Sequence, residues 1–263
     1  MSHVEFQDLV AIMAKLRGPG GCPWDREQTH SSLSGHLIEE AYEVVDSIEQ
    51  GDDDHLREEL GDLLLQIVFH AQIAAERGAF DIDDVAAAIA EKLRRRHPHI
   101  YAADPDAESD VTQAADVIRN WEAIKEGEGK YADSRLDGIP RSLPALFRSY
   151  KMQKKMADVG FDWPDKAGVV AALETEAEEY RQALRGDGDL REEIGDMLFM
   201  LGNVARHHGI EPEAALRAAN DKIEGRWRYM EREAAAAGRR LDEMTMDEKE
   251  SLWQQAKEEE SKV

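Results

Sequence analysis

Apolar residues in this chain recur at intervals of three and four. Leu37, Ala41, Val44, Val45 and Ile48 fall on one helical stripe, and Leu173, Ala177, Tyr180 and Leu184 fall on another. Leu60, Leu63, Leu64, Ile67, Val68 and Ala71 form a third stripe, matched by Ile194, Met197, Leu198, Leu201 and Ala205. The strict alternation that marks a half-buried strand is absent. Gly51 and Gly186 follow the first helix of each pair and read as stop signals. The pattern predicts antiparallel helix pairs, each followed by a further helix, packed as an all-α bundle.

The pattern is also duplicated. LIEEAYEVVDSI at 37–48 matches LETEAEEYRQAL at 173–184, and REELGDLLLQIV at 57–68 matches REEIGDMLFMLG at 191–202. Lys92 and Arg96 correspond to Lys222 and Arg226, and WEAIK at 121–125 corresponds to WQQAK at 253–257. The lead-ins CPWD at 22–25 and FDWP at 161–164 complete five blocks in one order. We therefore expect a first repeat over 1–130, a linker over 131–143 and a second repeat over 144–263. Glu43 and Glu59 are 16 positions apart, whereas Glu179 and Glu193 are 14 apart. That difference predicts a longer connector in the first repeat, at EQGDDDHL, where insertion costs little. A soft polar segment, AADPDAESD at 102–110, precedes Trp121 in the first repeat only.

Composition narrows the function. Of 263 residues 42% are hydrophobic, enough for a packed core, and the net charge is −23. Such a charge opposes non-specific binding to nucleic acid or to an anionic membrane, so neither is expected as a partner. The single cysteine, Cys22, rules out a disulfide framework and suits a reducing compartment. No run of about 18 apolar residues exists to span a membrane, and the first residues lack the pattern of a secretory signal. A cytoplasmic protein is expected.

The candidate chemistry lies in paired carboxylates. Glu40 and Glu43 are three apart on one predicted helix, and Glu59 and Asp62 are three apart on the next. Glu176 and Glu179, then Glu193 and Asp196, repeat the arrangement. An i, i+3 pair shares one helix face. Four ionised carboxylates at facing helix ends repel one another, and a divalent cation relieves that repulsion. An all-oxygen set with no cysteine and no paired histidine points to Mg²⁺ or Mn²⁺ rather than Zn²⁺. Acidic residues near helix starts often only complement the helix dipole; the duplication of two ordered pairs beside apolar stripes favours the metal.

Lys222 and Arg226, four apart, share a helix face, and Trp253 with Lys257 repeats that spacing. Cations beside a Mg²⁺ site suit a polyphosphate, and Trp253 offers a ring for a nucleobase. Lys92, Arg96, Trp121 and Lys125 are the first-repeat counterparts. Trp24 and Trp163 read as packing residues. EGEGK at 126–130 lacks the first glycine of a phosphate-binding loop, because Ile124 stands there. A di-iron bundle needs two Glu-x-x-His pairs, and the sequence holds one, Glu27 with His30, so that reading is disfavoured.

GGCPWDREQTH at 20–30, IEEAYE at 38–43, EELGDLL at 58–64 and EEIGDML at 192–198 closely resemble the tandem-repeat MazG family of nucleoside triphosphate pyrophosphohydrolases. The resemblance covers nearly the whole chain. It implies an all-α homodimer that uses Mg²⁺ to hydrolyse NTPs or dNTPs to the monophosphate and pyrophosphate. It places metal ligands and catalysis on Glu176, Glu179, Glu193 and Asp196, and nucleotide contacts on Lys222, Arg226, Trp253 and Lys257. One departure is Thr175, where the first repeat has Glu39. The family is held to work through its second repeat, so most turnover is expected there. A homodimer also follows from the apolar surface around Met197, Phe199 and Met200, which extends over more than one side of its helix. Two other readings remain open: a narrower all-α pyrophosphohydrolase acting on dUTP or phosphoribosyl-ATP, and a non-enzymatic acidic helical protein that binds a partner.

Overall fold

The computed structural model describes residues 4–101, 113, 116–117, 124 and 134–260. The fold is all-α, with no strand among the described residues. The chain divides into two compact units, Met1–Ile124 and Lys125–Val263.

The first unit holds α1 (Val4–Arg17), α2 (Pro23–Glu27), α3 (Ser34–Gln50), α4 (Asp53–Glu76), α5 (Ile82–Arg96) and α6 (Pro98–Tyr101). Its core joins Met13 of α1 to Val68, Phe69 and Ile73 of α4 and to Leu33, with Phe6, Leu9 and Leu64 packed around them. Each such side chain stabilises the fold by about 1.5–3 kcal/mol when fully buried. Arg17 ties α1 to the end of α4 through a two-pronged pair with Glu76, at 2.7 Å on both oxygens. Trp24 packs less than expected: it is 54% exposed, with one edge on Phe69 and His36.

The second unit holds α7 (Ala145–Ala157), α8 (Lys166–Leu184), α9 (Leu190–His207) and α10 (Pro212–Ala236), then a 3-10 turn at Leu241–Glu243 and α11 (Met246–Glu260). α9 lies against α8 on one side and α7 on another. The α7–α9 crossing is close and polar. Gln153 donates to the Phe199 carbonyl at 2.6 Å, and a Cβ at Gly202 would stand 2.9 Å from Ser149 Oγ. Trp163 packs against the first turn of α8, near Gly168.

Each unit therefore contains an antiparallel pair, α3–α4 and α8–α9, but the connectors differ from expectation. Only Gly51 and Asp52 separate α3 from α4, whereas 185–189 separate α8 from α9. The additional residues of EQGDDDHL lengthen the helices instead. Glu49 and Gln50 continue α3 until Gly51 ends it at φ 69. The Asp52 side chain then accepts from the Asp54 and His55 amides and starts α4 at once.

The stripes also bury less than their periodicity predicts. Ile48, Leu60, Ile67, Ile194, Leu198 and Leu201 remain 40–58% exposed within the chain. The buried side of α9 is instead Met200, Gly202 and Asn203. The soft segment 102–110 lies outside the described residues.

Candidate metal and nucleotide site

In the second unit, Glu176 and Glu179 lie on α8, and Glu193 and Asp196 lie on the first turns of α9. Asp189 starts α9 by accepting from the Arg191 amide at 2.8 Å, which sets Glu193 and Asp196 one and two turns further along. The hairpin brings one oxygen each of Glu176, Glu193 and Asp196 within 4.8 Å of one another. Two oxygens on opposite sides of one divalent ion stand about 4–5 Å apart, so this group is within reach of a common ion. Glu179 is outside that trio but close enough for its charge to act on both Glu176 and Glu193. Partial burial, then the charges of Glu179, Asp196 and Glu193, push the Glu176 carboxyl above the ordinary carboxylate range. Partial desolvation, then Glu179, Glu192, Asp196 and Asp189, do the same to Glu193. None of the four accepts a hydrogen bond from a protein donor among the described residues. A purely carboxylate, self-repelling donor set suits a hard divalent cation.

The first unit gathers Glu40, Glu43 and Glu59 within the same 4.8 Å. Burial, then the charges of Asp62 and Glu43, raise the Glu40 pKa. Here, however, protein donors lean on the carboxylates. His55, one turn before Glu59 on α4, holds it at 2.8 Å, and Gln66 donates to Glu40. The corresponding positions in the second unit are Asp189 and Met200, which supply no donor. Spacing held the signal for His55, an i, i+4 partner of Glu59; Gln66 lies seven positions past Glu59, and only the hairpin packing brings it to Glu40.

Of the basic and aromatic candidates, Arg226 on α10 and Trp253 on α11 meet, with the guanidinium 5.4 Å from the ring centre. Lys222 lies on α10 one turn before Arg226, and Lys257 is half-buried on α11. Thr245 starts α11 in a reciprocal cap with Glu248. The Thr245 amide donates to Glu248 at 2.7 Å, and the Glu248 amide donates back to the Thr245 hydroxyl at 3.3 Å. In the first unit Lys92 is half-buried beside Phe80 and Ile89, and Arg96 is buried. Trp121 and Lys125 lie outside the described residues.

Comparison with known proteins agrees with this chemistry. The sequence model of the MazG nucleotide pyrophosphohydrolase domain matches residues 28–101. A nucleoside triphosphate pyrophosphohydrolase from Escherichia coli (strain K12) is 47% identical over 263 residues, covering 97% of this chain and 98% of that one. The nucleoside triphosphate pyrophosphohydrolase/pyrophosphatase MazG of Thermotoga maritima is 44% identical over 253 residues, covering 96% and 95%. An uncharacterized Bacillus subtilis (strain 168) protein, YabN, is 44% identical over 258 residues, covering 97% of this chain and 52% of that one. Identity of this depth along almost the full length of two relatives, together with facing carboxylate pairs on an all-α frame, makes the chain a member of the MazG nucleotide pyrophosphohydrolase family.

Proposed function

We propose that the protein is a Mg²⁺-dependent enzyme that hydrolyses nucleoside triphosphates, NTP or dNTP, to the monophosphate and pyrophosphate, and so clears the cytoplasmic nucleotide pool. The observation that carries this reading is the self-repelling cluster Glu176, Glu193 and Asp196, with Glu179 beside it, in a chain related along its length to two proteins named for that activity. Glu176, Glu179, Glu193 and Asp196 would hold Mg²⁺, with Mn²⁺ as a substitute. When bound, such an ion polarises phosphate oxygens and makes a coordinated water more acidic.

The chain's own groups account for the rest of the reaction. Water adds to phosphorus, the bond of the α–β anhydride breaks, and pyrophosphate leaves with the electron pair. A carboxylate of the cluster is suited to take a proton from the attacking water. Lys222, Arg226 and Lys257 offset charge on the phosphates, and the Trp253 ring offers a face to the base.

We assign most turnover to the second unit. His55 and Gln66 already engage Glu59 and Glu40 in the first, so a cation there would compete with protein donors. Lys92, Arg96, Trp121 and Lys125 would serve a weaker or different substrate with Glu40, Glu43, Glu59 and Asp62. We also propose a homodimer. Leu60, Ile67, Leu198 and Leu201 leave exposed apolar stripes on helices that are otherwise packed. Gly61 and Gly195 interrupt the same helices at about 1 kcal/mol each relative to alanine. A Cβ at either position would meet nothing within 4 Å in the chain, so close approach of a second copy explains them.

The direct test of the activity is the purified protein with each NTP and dNTP, with and without Mg²⁺, products identified. Monophosphate and pyrophosphate appearing only with the metal supports the reading; diphosphate plus phosphate, or no turnover, contradicts it. A preference confined to dUTP would move the assignment to the narrower class.

A further inference from the structure

We propose that Glu260 is a positioning residue for nucleotide binding, fixing the Arg226 guanidinium against the Trp253 ring. The inference rests on the reading of Arg226 and Trp253 as nucleotide-binding residues given above. Glu260 ends α11, two turns beyond Trp253 on the same helix. Arg226 donates to it from two nitrogens: Nε reaches the two oxygens at 3.0 and 3.1 Å, and Nη2 reaches one at 2.8 Å. The pair spans α10 and α11, and the guanidinium lies over Trp253 at 5.4 Å. Arg226's side chain is 15% exposed against 38% for Glu260, so the cation is the more enclosed partner.

Geometry separates a holding role from a blocking one. A guanidinium carries five N–H donors in a rigid fork. Glu260 uses the edge formed by Nε and Nη2, which leaves Nη1 without a partner among the described residues. A carboxylate on one edge and an aromatic face against the plane fix a long side chain while its other edge stays free for phosphate oxygens. The ordering of Arg226 is thus accomplished on folding rather than on binding. The hydrogen bonds from Arg226, with Lys222 nearby, keep Glu260 ionised well below the usual carboxylate range, so the pair persists at neutral pH. A cleft of about 240 Å³ beside the pair, lined in part by Tyr229 and Arg232, leaves this end of the helix pair open to a ligand.

The experiment uses the full-length protein, steady-state kinetics on an NTP that it hydrolyses, and calorimetric binding of a non-hydrolysable α,β-methylene triphosphate. Glu260→Ala should raise KM and the analogue's Kd on the order of tenfold while kcat changes less than twofold, because ordering Arg226 then falls on the binding step. Glu260→Gln, which keeps one acceptor, should recover part of the loss. In an Arg226→Ala background, Glu260→Ala should change neither constant. A fall in KM for Glu260→Ala would show a carboxylate that competes with the nucleotide and would overturn the proposal. An equal rise in the Arg226→Ala background would overturn it too, since Glu260 would then act by another route. If Arg226→Ala alone raises KM while Glu260→Ala does not, only the positioning role fails. If Arg226→Ala itself leaves KM unchanged, the reading of Arg226 as a nucleotide contact fails as well.

Discussion

At the scale of the residue, small differences between aligned positions separate the two carboxylate clusters. Glu59 and Glu193 occupy the same place in REELGD and REEIGD, yet His55 bonds the first, and Asp189 adds repulsion to the second. A motif read as a string treats them alike; the distinction sits one turn upstream. Gly202 shows the same dependence on a neighbour. Its motif gives no reason for glycine, but Ser149 of α7 stands where a Cβ would go. Gly202→Ala should therefore destabilise the protein by about 1–3 kcal/mol, the usual cost of overpacking. Chemical denaturation measures this, and a midpoint equal to or above that of the parent would show that the crossing has room.

At the scale of the element, helix identity was legible where apolar residues recur at helical spacing, as in α3 and α9. Helix ends and exposure were not. The connector between α3 and α4 shortened against expectation because Asp52 caps α4 immediately after Gly51 stops α3. The start of α11 follows the same logic. Glu248 closes a reciprocal cap with Thr245 and pairs with Arg239, which together hold its pKa at about 2 against an ordinary 4.5. A carboxyl depressed by folding stabilises the fold fully above its ordinary pKa, and that contribution is lost as pH falls through the folded value. Glu248→Gln should lower the melting temperature at pH 7, and the gap to the parent should close between about pH 4.5 and pH 2. Scanning calorimetry across that range is the check; a constant gap would assign the effect to packing rather than charge.

At the scale of the whole molecule, the duplicated blocks and the −23 charge made the class of protein legible, since few roles need acidic pairs repeated beside apolar stripes. What sequence periodicity could not reveal is which apolar residues stay uncovered within one chain. Ile194, Leu198 and Leu201 have the spacing of core residues and nearly half of their surface in solvent. Light scattering at micromolar concentration should give twice the 29.6 kDa chain mass. Gly195→Ala should shift that equilibrium towards monomer, although alanine alone favours the helix; a monomeric parent would remove the explanation offered for both glycines.

The central claim is that the α8–α9 carboxylates are the metal site that drives hydrolysis. Its most direct measurement compares Glu193→Ala with Asp196→Ala against Glu59→Ala with Asp62→Ala, by NTP turnover in Mg²⁺ and by circular dichroism. We predict that the first pair keeps its helical spectrum and loses on the order of a hundredfold or more in kcat, as expected when charge stabilisation at the reacting phosphate is removed. The second pair should keep most of the activity. The opposite ranking, or full activity in the first pair, would contradict the account.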